Sequence, residues 1–139
     1  MIAGFRLNKI FGERKTNENV TREMTQKVDI KSVKKSKNEV IGDHVLINFE
    51  FEYVFSPEAG EIKLEGDLMY RDTDLENLVK EKDNKLELQP KVLMEVTNFI
   101  FENAMIEVIN TAKKLYLPVP LNAPKINFTA PRSYPIKSD

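Results

Sequence analysis

The sequence predicts an α+β fold: a four-stranded antiparallel sheet packed on one long C-terminal helix. Three observations carry this. From Val45 the odd positions read Val45, Ile47, Phe49, Phe51, Tyr53 and Phe55, with polar Asn48, Glu50 and Glu52 between them. From Ile62 the even positions read Ile62, Leu64, Gly66, Leu68 and Tyr70, alternating with Glu61, Lys63, Glu65, Asp67 and Arg71. Such alternation means strands with one buried and one solvated face. The third observation is the run from Val92 to Tyr116, where apolar residues recur at helical spacing.

In chain order, Phe5 to Phe11 is a first strand, and Gly12 to Val20 a polar loop or crossover. Met24 to Ser36 carries Val28 and Ile30 at period two and loses the pattern near Ser32-Val33, which predicts a strand that bulges and ends there. Lys34 to Asn38 reads as a charged turn. Ser56 to Gly60 supplies the turn of the central hairpin, and Gly66 on its apolar face leaves room for the long helix. Asp72 to Lys80 fits a short helix whose first amides Asp72, Thr73 or Asp74 can cap, and Lys80 to Lys85 is a polar connector.

In the long helix, one apolar stripe runs Leu93, Val96, Ile100, Ala104, Val108, Ala112 and Leu115, and a second Met94, Phe101, Met105, Ile109 and Tyr116. A surface helix needs one apolar face of about 100°. Two stripes predict cover on two sides, by the chain's own sheet and by a second copy of the protein, with Met94, Phe101 and Met105 at the interface. Pro118 and Pro120 end the helix, so a proline-rich hook from Tyr116 to Phe128 is extended. Residues 1–139 read as a single domain with a loose tail over 129–139.

Composition narrows the function. Of 139 residues, 41% are hydrophobic and 31% charged, with a net charge of −1, so nothing points to nucleic acid or an anionic membrane. The absence of cysteine excludes disulfides and thiol chemistry and fits a cytoplasmic home. No secretory signal and no apolar run of about 18 residues is legible. His44 is the single histidine and reads as an exposed turn residue, too little for a histidine relay or a multi-histidine metal site. The carboxylates Glu50, Glu52, Glu61, Glu65 and Asp67 read as a solvated strand face. No cofactor, no metal and no catalytic group is expected.

One stretch is more specific. Ala104 to Phe128 ends in Pro120-Leu-Asn-Ala-Pro-Lys-Ile-Asn-Phe128, which resembles the hook after the main helix of SecB-like export chaperones; Phe5-Arg-Leu-Asn-Lys-Ile-Phe11 is similar to that family's first strand. The resemblance covers nearly the whole chain. It implies an ATP-independent chaperone that binds unfolded or partly folded polypeptides in apolar grooves and assembles as a dimer or a dimer of dimers. Tyr116, Leu117, Val119, Leu121, Ile126 and Phe128 are the groove candidates. Tyr116 to Leu121 are expected to stay partly open, and Ile126 and Phe128 either to rejoin the core or to lie open. The alternatives are a dedicated chaperone or adaptor for one partner, of the antitoxin type, a non-chaperone interaction protein, or a hotdog-type enzyme. Three departures from the family pattern stand out. Lys114-Leu115 occupy the place of a glycine-bearing turn, the acidic surface is missing, and no second terminal helix or Cys/His-bearing tail follows Phe128. Tail-mediated binding to a SecA motor is therefore not expected.

Overall fold

The computed structural model describes residues 1–15, 23–40, 42–56, 58–118 and 128–137. Four strands, β1 (Ile2–Arg14), β2 (Glu23–Asn38), β3 (Gly42–Ser56) and β4 (Gly60–Tyr70), pair antiparallel in the order β1-β4-β3-β2. One face of this sheet packs on the long helix α2 (Pro90–Lys114), as the alternation requires. Its 25 residues span about 37 Å. The aromatic row Phe49, Phe51, Tyr53 and Phe55 is buried core.

Single-residue bulges keep the edge strands facing that core. The register shifts between Ile2 and Gly4 and between Leu7 and Lys9 in β1, and between Ile30 and Ser32 in β2. An extra residue reverses the side to which the later side chains point. Val33 thereby joins Val28 and Ile30 on the helix side, opposite Ile47, and is fully buried. The bulge expected near Ser32-Val33 therefore exists, but the strand does not end there. Lys34 to Asn38, read as a turn, continues β2 against Gly42 to Leu46.

Gly66 needs correction as well. A Cβ there meets the backbone carbonyl of Arg6 and, at 2.8 Å, Cζ of Phe49. The glycine admits β1 and an aromatic ring from β3, not the helix. Phe49 covers it and stacks on Phe5 at 5.5 Å.

The remaining corrections concern a second sheet. The predicted short helix is a single turn, α1 (Leu75–Leu78), and its last expected residues enter β5 (Val79–Lys82). The expected connector is a hairpin from β5 to β6 (Lys85–Leu88). Asp83 and Asn84 at its tip have φ of 52° and 61°, the left-handed pair of a two-residue turn. The tail is not loose over its described part: β7 (Arg132–Pro135) pairs with β6, and Ile136 bridges Val33 of β2. Val79, Leu86 and Leu88 join the same buried cluster as the main sheet and α2.

This arrangement changes the account of the helix. Phe101 and Met105 are 2% and 5% exposed within one copy of the chain, so the chain itself covers these two residues of the second stripe. Phe101 meets Phe51 edge-on at 5.5 Å. Met94 is half-buried, while Ile106 is 61% exposed. Among the described residues, no helix is long and apolar enough to cross a membrane.

Candidate functional site

The two described ends of the hook lie at opposite edges of the main sheet. At the β1 edge, α2 closes through paired bonds: Tyr116 N–H donates to the Lys113 carbonyl at 3.3 Å, and Leu117 N–H to that of Ala112 at 2.9 Å. This is the Schellman arrangement, which places the residue after the C-cap in left-handed backbone. That residue is Tyr116, with φ of 55° and its side chain 81% exposed. Leu117, expected to stay open, is 6% exposed, because the motif folds it back onto the core beside Gly60. Val119, Leu121 and Ile126 lie outside the described residues.

At the other edge, Phe128 is half-buried and lines an open cleft of about 330 Å³ between β2 and α2. Val28 and Ile30 of β2, Thr97 and Phe101 of α2, and Tyr134 of β7 share its wall. The Arg132 guanidinium sits over the Phe128 ring at 4.8 Å, a cation–π contact that fixes the ring's orientation. Gln26 also lines the cleft, and its amide oxygen is shut off from solvent with no hydrogen-bond partner among the described residues. Burial raises the Tyr134 phenol above its ordinary pKa against the opposing charge of Arg132, so this ring is a neutral wall element.

The cleft runs beside an open sheet edge. β2 is the last strand of the main sheet, and among the described residues the one pairing on its outer side is the Val33–Ile136 bridge, where Lys137 N–H also donates to the Val33 carbonyl at 2.9 Å. From Glu23 to about Ile30 the outer side of β2 pairs with no strand among the described residues. An open edge with an adjoining apolar trough is the arrangement by which extended peptides are captured: backbone bonds give affinity and alternate side chains enter the trough. Of the sequence candidates, Phe128 contributes to this trough, as does Phe101, expected at an oligomer interface. Gln26, Val28, Ile30, Arg132 and Tyr134 were missed. The period-two row Met24, Gln26, Val28, Ile30 was the one available signal for the β2 residues.

The titratable candidates have structural roles. His44 is buried rather than exposed, with Nδ1–H donating to the Gly42 carbonyl at 3.0 Å. Asp67 is also buried, not solvated: it accepts from Asn8 at 2.7 Å, Asn48 at 2.9 Å and Arg6 at 3.0 Å. Burial pushes its pKa upward, but these hydrogen bonds and the charge of Lys137 outweigh it and hold the carboxyl below its ordinary value. Glu50 and Glu61 are half-buried on the outer sheet face, in ion pairs with Lys31 at 3.8 Å and Lys15 at 3.7 Å.

In fold, the chain is similar to a SecB-like chaperone. The solved structure is that of the Mycobacterium tuberculosis Rv1957 SecB-like chaperone in complex with a ChAD peptide from the Rv1956 HigA1 antitoxin. The match covers 94% of this chain and 89% of that one, at 11% identity and a TM-score of 0.45. No family model matches the sequence, and no curated protein does.

Proposed function

We propose that this protein is an ATP-independent chaperone that holds non-native polypeptide by strand addition to the outer edge of β2, with alternate apolar side chains of the client in the cleft formed by Val28, Ile30, Phe101 and Phe128. The observation that carries the reading is the coincidence of a strand edge unpaired among the described residues with a cleft whose wall includes Val28, Ile30, Phe101 and Phe128. Binding to the unfolded state also explains how such a protein retards folding without a nucleotide: it draws the equilibrium by mass action. The site is a binding surface, and no catalytic role is assigned to any residue.

Hydrogen exchange tests it. An unfolded test protein whose aggregation the chain suppresses should slow exchange of outward-facing amides between Glu23 and Ile30. Suppression without protection there would refute the site, and no suppression at all the function. Co-purification from native cells then separates a general chaperone, which retains many polypeptides, from a dedicated one, which retains a single partner. We further propose a homo-oligomer, at least a dimer. Phe101 and Met105 are already covered, so its support is the exposed Ile106 on α2 together with Ile10 and Phe11, 51% and 40% exposed on edge strand β1. A cytoplasmic location fits this activity.

A further inference from the structure

The cleft mixes apolar and polar lining, and its charged residues are two cations and one carboxylate, Asp29, in a chain whose net charge is −1. Lys27 and Arg132 border it. Where the Val33–Ile136 bridge closes the β2 edge, Lys34 and exposed Lys35 and Lys137 line a second depression of about 330 Å³, with Leu86 and Ile136 as its apolar lining and Glu81 as the carboxylate in that lining. Asp29, farther along this edge, is held by Lys31 at 3.0 Å, and Asp67, on which the charge of Lys137 acts, is already held by Arg6, Asn8 and Asn48. A strand added along β2 runs from the trough toward the bridge and must stop or turn there, because Ile136 and Lys137 already occupy the edge. Whatever flanks the apolar stretch at that end of the added strand arrives among lysine side chains.

Resting on the strand-addition reading above, we propose that the client segment is an apolar extended stretch carrying acidic residues at the end that reaches Lys35 and Lys137. Charge complementarity selects it: acidic flanks are attracted, while basic flanks meet like charge, which penalises the wrong partner. The selection is electrostatic and solvent-exposed, so it weakens with salt as the screening length falls from about 10 Å at 0.1 M to about 3 Å at 1 M.

The test uses the full chain and three dye-labelled peptides of about ten residues, sharing one alternating Val/Phe/Ser core and flanked at both ends by Glu-Glu, Ser-Ser or Lys-Lys. Anisotropy at low salt should rank them Glu over Ser over Lys, with about tenfold between the extremes, the scale of two screened ion pairs. The spread should collapse at 1 M salt and in the double variant K35Q/K137Q, but not in the control K113Q/K114Q at the exposed end of α2. A circular-dichroism melt confirms that both variants fold. Equal binding of all three peptides, or an unchanged spread in K35Q/K137Q, overturns this inference and leaves the groove standing. Failure of every peptide to bind overturns the groove reading and this inference with it.

Discussion

Arg14, at the end of β1, donates from Nη1 to the Tyr116 carbonyl oxygen at 2.6 Å and to that of Leu115 at 3.1 Å. These are orphan carbonyls at the negative end of α2, where a cation is favoured. One edge of the sheet is thereby tied to the helix terminus by a side chain separated from it by about a hundred residues. Arg14→Ala is expected to cost about 1–2 kcal/mol in a denaturant titration. Tyr116→Gly should do the opposite. Removing Cβ from left-handed backbone is worth more than the extra chain entropy, a net gain of about 0.5–1 kcal/mol.

The contrast between Leu117 and Phe128 separates scaffold from site. Leu117→Ala empties a packed position and is expected to cost about 2–4 kcal/mol, with chaperone activity lost only as the fold is lost. Phe128→Ala should move stability by about 1 kcal/mol or less, yet weaken suppression of aggregation severalfold. Paired thermal melts and light-scattering assays decide it; equal behaviour of the two variants would remove Phe128 from the site.

Two glycines on β1 and β4 offer a packing test. At Gly66 a Cβ runs into the Arg6 backbone and the Phe49 ring, whereas at Gly4 its nearest neighbours are atoms of Met69, at 3.6 Å or more. Gly66→Ala is expected to lose at least about 2 kcal/mol. Gly4→Ala should stay within about 0.5 kcal/mol of the parent.

Asp67 gives a pH dependence. Its folded pKa lies below its ordinary value, so its stabilisation is fully present above the unfolded-state pKa of about 3.9 and is lost as pH falls through the lower, folded pKa. Asp67→Asn should cost about 1–3 kcal/mol at neutral pH and flatten the stability profile below about pH 4. Urea titrations across pH 2–7 measure both. A variant as acid-sensitive as the parent would assign the dependence to other carboxylates.

The oligomer proposal is checked on α2. Ile106→Glu places a charge at an exposed position, so the monomer should fold normally while sedimentation at micromolar concentration shifts toward 16.1 kDa. Met105→Glu buries that charge and should unfold the chain. A parent that sediments only at 16.1 kDa would end the proposal.

The four main strands and α2 were legible because each repeats its signal over many residues: five or six alternating positions in β3 and β4, two stripes in the helix. The hairpin from Val79 to Leu88 was not. Its strands are four residues each and coated with Lys and Glu, so three apolar residues, Val79, Leu86 and Leu88, had to signal burial by themselves. Asp83-Asn84 was the turn cue passed over. Pro131 and Pro135 disguise β7, whose pairing is fixed by β6, far away in sequence. Of the helix's second stripe, Phe101 and Met105 are covered by the chain itself while Tyr116 is exposed; a pattern of apolar residues does not say whose surface meets it. The open edge of β2 had no sequence signature, because being last in a sheet is a property of topology. Phe128 was visible as an apolar residue that could lie open; Arg132 and Tyr134 became visible only once β7 brought them beside it.

The strand order β1-β4-β3-β2 has a kinetic consequence. β2, β3 and β4 follow one another as a meander whose contacts close through short turns, while β1 must find β4 across about sixty residues. Non-local closure is slow relative to hairpin formation. The meander should therefore collapse on its apolar face first, and β1, with its bulges and the Arg14 tie to α2, should dock late. Until it does, β4 is an open edge as well, and a nascent copy of this chain presents the same kind of surface it is proposed to recognise in others.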